Sequence, residues 1–226
     1  MSFKDLFEVE LTNNRIDLLS HAGRESITTK TIHWWESHGW EVVVWDNTGY
    51  KPAVGRNRII SDYKSSDRQL LIMADDDITL YPHRFLTNQW LKNPVVNGVY
   101  TLNSNHKMNL LAQNSSTWND GNHHWLTTDE ISQMYVIANK NIPLQDTGLN
   151  VLEDLDWAWS CFHQGITCQL LHTVFLKERN QDIGSLIAKD RTIRKQMYAQ
   201  ALEQIYIKWN VSSKGEFRKQ FIPKIV

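Results

Sequence analysis

The chain has 226 residues, of which 41% are hydrophobic and 22% charged, which is enough for one sizeable domain with a small C-terminal appendage and ordinary for a soluble globular protein. No run of about 18 apolar residues offers a transmembrane helix. The opening MSFKDLFEVE lacks the basic start and apolar stretch of a secretory signal, so a cytoplasmic site of action is expected. Two cysteines, Cys161 and Cys168, make no disulfide framework and lack zinc-site spacing; reduced, packed thiols are expected. The net charge of −1 hides an asymmetry: residues 177–226 carry eleven Lys/Arg against five Asp/Glu, leaving thirteen against twenty elsewhere. The basic end reads either as a solvated helix face or as a surface for a polyanion such as nucleic acid.

In chain order, Arg15–Ser20 predicts a short strand running into the loop His21-Ala22-Gly23-Arg24. Ser26–His38 predicts a helix stopped by Gly39. Trp40–Trp45 is a continuous apolar run rich in β-branched residues, as in a strand buried on both faces. A turn cluster, Asp46-Asn47-Thr48-Gly49, leads to a predicted helix over Val54–Tyr63. Gln69–Ala74 reads as a second buried strand and ends in Asp75-Asp76-Asp77. The middle, 81–142, is less regular, with a hairpin expected in Val95–Leu111. Leu152–Gln164 predicts a helix closed by Gly165, and Cys168–Phe175 a strand. Leu186–Trp209 predicts a long amphipathic helix with Met197, Tyr198, Ala201, Leu202, Ile205 and Trp209 on one face. The last residues read as irregular and basic. Strand–helix–strand–helix–strand order predicts a parallel, three-layer α/β sheet, with ligands outside the carboxyl ends of its strands.

Three consecutive aspartates after a buried strand raise each other's pKa unless a cation lies between them. A divalent ion held by one or two carboxylates and substrate phosphates is the usual remedy. In an extended segment Asp75 and Asp77 point the same way and address one metal. An exposed acidic turn whose aspartates cap backbone N–H groups is the plainer alternative.

The segment Leu70-Leu71-Ile72-Met73-Ala74-Asp75-Asp76-Asp77 resembles the Asp-x-Asp segment of GT-A glycosyltransferases. Upstream, Asn47-Thr48-Gly49 and Ala53-Val54-Gly55-Arg56-Asn57 are similar to that family's N-x-G and A-R-N segments, with Gly55 in place of the usual Ala. The resemblance covers roughly residues 15–176. It implies a GT-A (Rossmann-like) three-layer α/β/α sandwich with a mainly parallel sheet. Residues 1–176 would form the catalytic domain, with a nucleotide-binding half at 15–80 and an acceptor half at 81–176, and 177–226 a basic helical extension. It implies Mn²⁺ or Mg²⁺ on Asp75 and Asp77, with His172 completing the metal site. It places the donor, a nucleoside-diphosphate sugar (UDP-sugar favoured), against Ser20, His21, Arg24, Asp46, Asn47, Arg56, Asn57 and Asp76.

Glu153-Asp154 at the start of a predicted helix looks like the family's E-D motif. An acceptor hydroxyl must lose a proton as it attacks the anomeric carbon, so Asp154 is expected to be the base, with Glu153 beside it, and the product inverted. Helix-terminal N–H groups are expected to keep Asp154 ionised; plain N-terminal capping is the alternative. Trp118, His124, Trp125 and Trp157 are expected on the acceptor side, where aromatic faces suit stacking on sugars. The acceptor reads as a hydroxymethylated base of phage DNA, approached through the basic C-terminal region, or as a surface polysaccharide. A nucleotidyltransferase of related α/β fold and a non-catalytic nucleotide- or sugar-binding module remain as alternatives. The sequence leaves the oligomeric state open.

Overall fold

The computed structural model describes residues 15–81, 95–101, 116–119, 124–127, 129, 131, 134–137, 139–178 and 191–221. The chain runs β1 (Arg15–Ser20), α1 (Glu25–Glu36), β2 (Glu41–Asp46), α2 (Pro52–Ser65), β3 (Leu71–Asp75), β4 (Ile78–Tyr81), β5 (Val95–Thr101), β6 (Ser116–Asn119), β7 (His124–Thr127), β8 (Met134–Ile137), α3 (Glu153–His163), β9 (Thr167–Glu178), α4 (Arg191–Trp209) and α5 (Lys214–Phe221). All the strands join one sheet in the order β2-β1-β3-β8-β5-β9-β7-β6, with β4 paired to β9.

The chain is an α/β protein with a mixed sheet. The expected parallel pairing holds for β2-β1-β3, and β5 also runs parallel to β9. The β8 strand enters antiparallel between β3 and β5, and β4 and β7 run antiparallel to β9, so "mainly parallel" describes the first half alone. In that half the chain crosses from β1 to β2 on one side and returns to β3 on the other. The carboxyl ends of β1 and β3 therefore border a topological switch point, where open α/β sheets leave a crevice.

Strand alternation splits the core in two. Leu19, Leu71, Met73, Tyr135 and Ile137 join Ile59, Tyr63, Trp157, Trp159, Ala201, Ile205 and Phe217, which come from α2, α3, α4 and α5. The alternate positions Ile16, Leu18, Ile72, Ala74, Met134 and Val136 pack on Trp35 of α1. Every second residue faces the same way in a strand, so one apolar run serves both faces. Buried residues Thr28, Thr31 and Trp35 give α1 its inward stripe, and Gly39, at φ 82°, turns the chain after it. Pro52 begins α2, where its missing N–H costs nothing.

Two expectations are corrected here. The β2 strand is not buried on both faces: it is the edge of the sheet, pairs with β1 alone, and leaves Val44 42% exposed. A helix, α5, replaces the irregular C-terminal end. Phe217 of α5 is fully buried, stacked on Trp159 with ring centroids 3.9 Å apart. The expected amphipathic face of α4 is present: Ala201 and Ile205 are buried and Met197, Tyr198, Leu202 and Trp209 pack against the core. The first arm of the hairpin expected in Val95–Leu111 is β5, and its remainder lies outside the described residues. Cys161 and Cys168 are free and buried. No described helix is long and apolar enough to cross a membrane.

Candidate active site

The carboxyl ends of three strands lie level. Ser20 is opposite Asp46, and Leu19 is opposite Asp75. These pairings bring Ser20, His21, Asp46, Asn47 and Asp75 to one edge. Arg56, on α2, joins this edge to a distant segment. Its guanidinium donates to Asp75 Oδ1 at 3.1 Å and to Glu153 Oε1 at 2.8 Å, across 97 residues of sequence in the second case. The Asp-x-Asp strand and the E-D helix thus meet on one arginine, itself 6% exposed. Arg56 also lies over the ring of Tyr135, 5.4 Å from its centroid.

The three aspartates do different work. Asp75 is partly exposed, with 22% of its side chain in solvent. Asp76 is fully buried, and its Oδ2 accepts from the His21 backbone N–H at 3.1 Å and from the Thr28 hydroxyl at 2.9 Å. It fastens the loop after β1 rather than meeting a donor from solvent. Arg24 pairs with Asp76 at 3.3 Å and with Asp77, so it is the cation between these two carboxylates. Burial lifts the Asp77 carboxyl to about 6, against the pull of Arg24. Burial raises Asp76 and lowers the imidazolium stability of His21. Asp77 therefore does not stand beside Asp75 as a free ligand, and among the described residues no three of His, Cys, Asp and Glu gather as a metal set.

Other expected donor residues hold the crevice walls. Asn47 is buried and its side-chain amide donates to the carbonyls of Tyr50 and Lys51, both at 3.3 Å. Asn57 donates to the Gln145 carbonyl at 2.9 Å and accepts from the Gln145 N–H at 2.7 Å, which locks α2 to the segment before α3. The Asn57 amide and the Asn47 nitrogen are spent on the frame, whereas Asn47 Oδ1 is buried with no hydrogen-bond partner among the described residues. Asp46 is exposed, and two hydrogen bonds from Thr48 hold its carboxyl below the usual range.

Gly55 is no incidental departure from alanine. A Cβ there would lie 2.4 Å from Leu19 Cδ1 and 2.5 Å from Asn47 Oδ1, both packed groups. Gly55→Ala should cost about 1–3 kcal/mol by overpacking, read as a fall in denaturation midpoint. An unchanged midpoint would show that α2 does not approach β1 this closely.

The α3 helix starts under strain. Leu152 sits at its N-cap with φ 61°, a left-handed conformation unfavourable for a side chain with Cβ, and it makes no side-chain cap. Such outliers concentrate at functional sites. The expectation of a firmly ionised Asp154 is corrected: burial, then the neighbouring Glu153, push its carboxyl up to about 7, although Arg56 and the Leu155 N–H favour the charged form. The helix terminus does not outweigh lost solvation.

Trp157 is fully buried. Its indole N–H donates to the Pro143 carbonyl at 2.7 Å and its ring packs on Tyr135, so it offers no face to an acceptor. Trp118 is opposite Trp125, and Asn119 opposite His124, on a ribbon that joins β9. In this ribbon β7 is four strand steps from β3 and β6 five, about 19 and about 24 Å across the sheet, so strand order does not bring Trp118, His124 or Trp125 beside Asp75. His172 follows Leu171, which is opposite Trp125, within an irregularity of β9 that ends at Phe175. It is level with the end of β3 but three strands away: Met73 is opposite Tyr135, Tyr135 opposite Gly98 and Gly98 opposite Leu170, so Asp75 and His172 each stand two residues beyond that line.

The basic end is partly neutralised from within. Lys208 donates to Asp146 at 2.9 Å and Asp156 at 2.8 Å, and Trp209 donates to Asp156 at 2.8 Å. Arg218 grips Asp129 with bonds of 2.6 and 3.0 Å, and Trp159 donates to the same carboxylate at 2.8 Å. Two cations counted towards a polyanion surface are therefore ligands of the fold.

Sequence reasoning missed Tyr135. It is fully buried on β8 and reaches the site only because β8 lies beside β3, with Met73 opposite Tyr135. No signal local to Met134–Ile137 announces that.

No protein-family model and no curated protein matches the chain. Among solved structures, A197 from STIV is similar, at 10% identity and a TM-score of 0.48, over 79% of this chain and the whole of that one.

Proposed function

We propose that the chain is a GT-A type glycosyltransferase that moves a sugar from a nucleoside-diphosphate sugar to an acceptor hydroxyl with inversion, using Mg²⁺ or Mn²⁺. The observation that carries this reading is the Arg56 bridge. It holds Asp75, at the end of β3, and the Glu153-Asp154 helix start against one crevice. Core clusters on both sheet faces support the three-layer arrangement of that fold.

A hard divalent cation accepts one or two carboxylates beside substrate phosphates. Asp75, partly exposed at the crevice, fits as such a ligand; Asp77 would join only on leaving Arg24. The ion when bound supplies charge neutralisation to the leaving diphosphate. Asp154 takes the proton of the attacking hydroxyl, a task for which a carboxyl near 7 suits neutral pH. Ser20, His21 and Asp46 line the strand ends on the nucleoside side. For the acceptor, the inward ion pairs of Lys208 and Arg218 weaken the case for DNA, and a polysaccharide hydroxyl is favoured. Arg24, the cation of the loop after β1, is spent on Asp76 and Asp77, which leaves a nucleotidyltransferase without a free phosphate-binding cation in that loop.

The test is a thermal-shift screen of UDP, GDP, CDP and dTDP, each with Mn²⁺ and with EDTA. At a hundred times Kd, binding adds about 2.7 kcal/mol, or about 5–10 °C for a domain of this size. One nucleotide should give that shift, and EDTA should erase it. No shift with any of them sinks the reading.

A further inference from the structure

The Tyr135 hydroxyl is a buried donor that the fold does not use. The residue is 0% exposed, and its hydroxyl has no hydrogen-bond partner among the described residues. The ring is fixed by the edge of Trp157 at 5.2 Å and by the Arg56 guanidinium above it. A buried polar group left unpaired costs about 1–3 kcal/mol, and phenylalanine would fill the same space without that cost. The site around it is the one already described: Arg56 binds Asp75 on one side and Glu153, next to Asp154, on the other.

We propose that the Tyr135 hydroxyl binds a neutral hydroxyl group of the transferred sugar. This rests on the glycosyltransferase reading, which places the sugar between the diphosphate at Asp75 and the base at Asp154. Hydrogen-bonding capacity selects the ligand class. The phenol can donate, and Asp75 and Glu153 beside it share the single cation Arg56, so a neutral group that both accepts and donates fits best. A sugar hydroxyl both accepts from the phenol and donates to a carboxylate. The same carboxylates, together with burial, hold Tyr135 in its protonated, donating form against the pull of Arg56. Tyr135 is fully buried in the ligand-free chain, so the sugar meets its hydroxyl when neighbouring side chains move on binding.

Tyr135→Phe removes the hydroxyl alone. Its ligand-free melting temperature should equal or exceed that of the parent chain. With Mn²⁺ present, titration calorimetry should give unchanged affinity for the free nucleoside diphosphate (UDP, GDP, CDP or dTDP). Affinity for the same nucleotide bearing a hexose should be about two- to tenfold weaker, the span of one neutral hydrogen bond. Equal affinity of parent and variant for every nucleotide sugar overturns the proposal and leaves the glycosyltransferase reading standing. A melting temperature several degrees lower overturns it too, because the hydroxyl would then be bonded within the fold. Failure of the parent chain itself to bind any nucleotide sugar overturns both.

Discussion

Asp154→Asn is expected to lower turnover by about 10²–10⁴-fold, the contribution of a general base, which is the role proposed for Asp154, while making the protein more stable at pH 8. Both effects have one origin. Burial, reinforced by Glu153, puts the Asp154 carboxyl at about 7, whereas an unfolded aspartate titrates near 4. Between those values the native chain holds a proton that the unfolded chain has released, so stability falls as pH rises through the window. Asp77, lifted to about 6 by burial, adds a shorter descent in the same direction. Asparagine carries no charge to desolvate, so in the variant the part of the slope approaching pH 7 should vanish. In the parent chain kcat/KM should climb through about pH 7 as the base ionises and then level off; the residual rate of the variant should lack that limb. Melting curves from pH 4 to 8, together with turnover of the donor found by thermal shift, test both halves. Parent-like turnover in the variant would remove Asp154 from the mechanism.

Arg56→Met should give the largest loss of stability, about 3–5 kcal/mol, as when one partner of a buried ion pair is removed. For a domain of this length that is a fall of about 6–20 °C in melting temperature. Methionine keeps much of the volume, so the loss reports charge: Glu153, 8% exposed, would face Asp75 with no cation between them. Adding Glu153→Gln should return part of the loss, since it removes the uncompensated acid. Arg56→Lys should not restore the parent, because one ammonium cannot reproduce the two-sided fork. A loss under about 1 kcal/mol would mean that the bridge is solvated and does not hold the two motifs together.

The first half was legible because it is local. Buried runs and Gly and Pro punctuation place β1, α1, α2 and β3 to within a few residues, and the same signals place α3 in the second half. The β2 run Val42-Val43-Val44 misled, since apolarity alone does not tell an edge strand from a central one. The α5 helix was hidden in Lys214–Phe221, where only Phe217 and Phe221 are large and apolar and cations dominate the rest. The aspartates were found, but their division of labour was not. Asp76 looks like Asp75 in the sequence; only the turn of the chain buries one under Thr28 and leaves the other to Arg56. The pairings that most define the site and its support, Arg56 with Glu153 and Arg218 with Asp129, span 97 and 89 residues. No window of sequence contains them.

The antiparallel partner of β3 arrives late during synthesis. From Asp75, where β3 ends, to Met134, where β8 begins, the ribosome must add 59 residues, which takes about 3–12 s at ordinary elongation rates. Throughout that interval the nascent chain holds Leu71-Ile72-Met73-Ala74 as an open strand edge, the kind of template that captures neighbouring chains. The soluble yield of this protein should therefore depend on how fast it is translated and on what shields β3 in the meantime, with slower, cooler expression or a co-produced holdase giving more folded material.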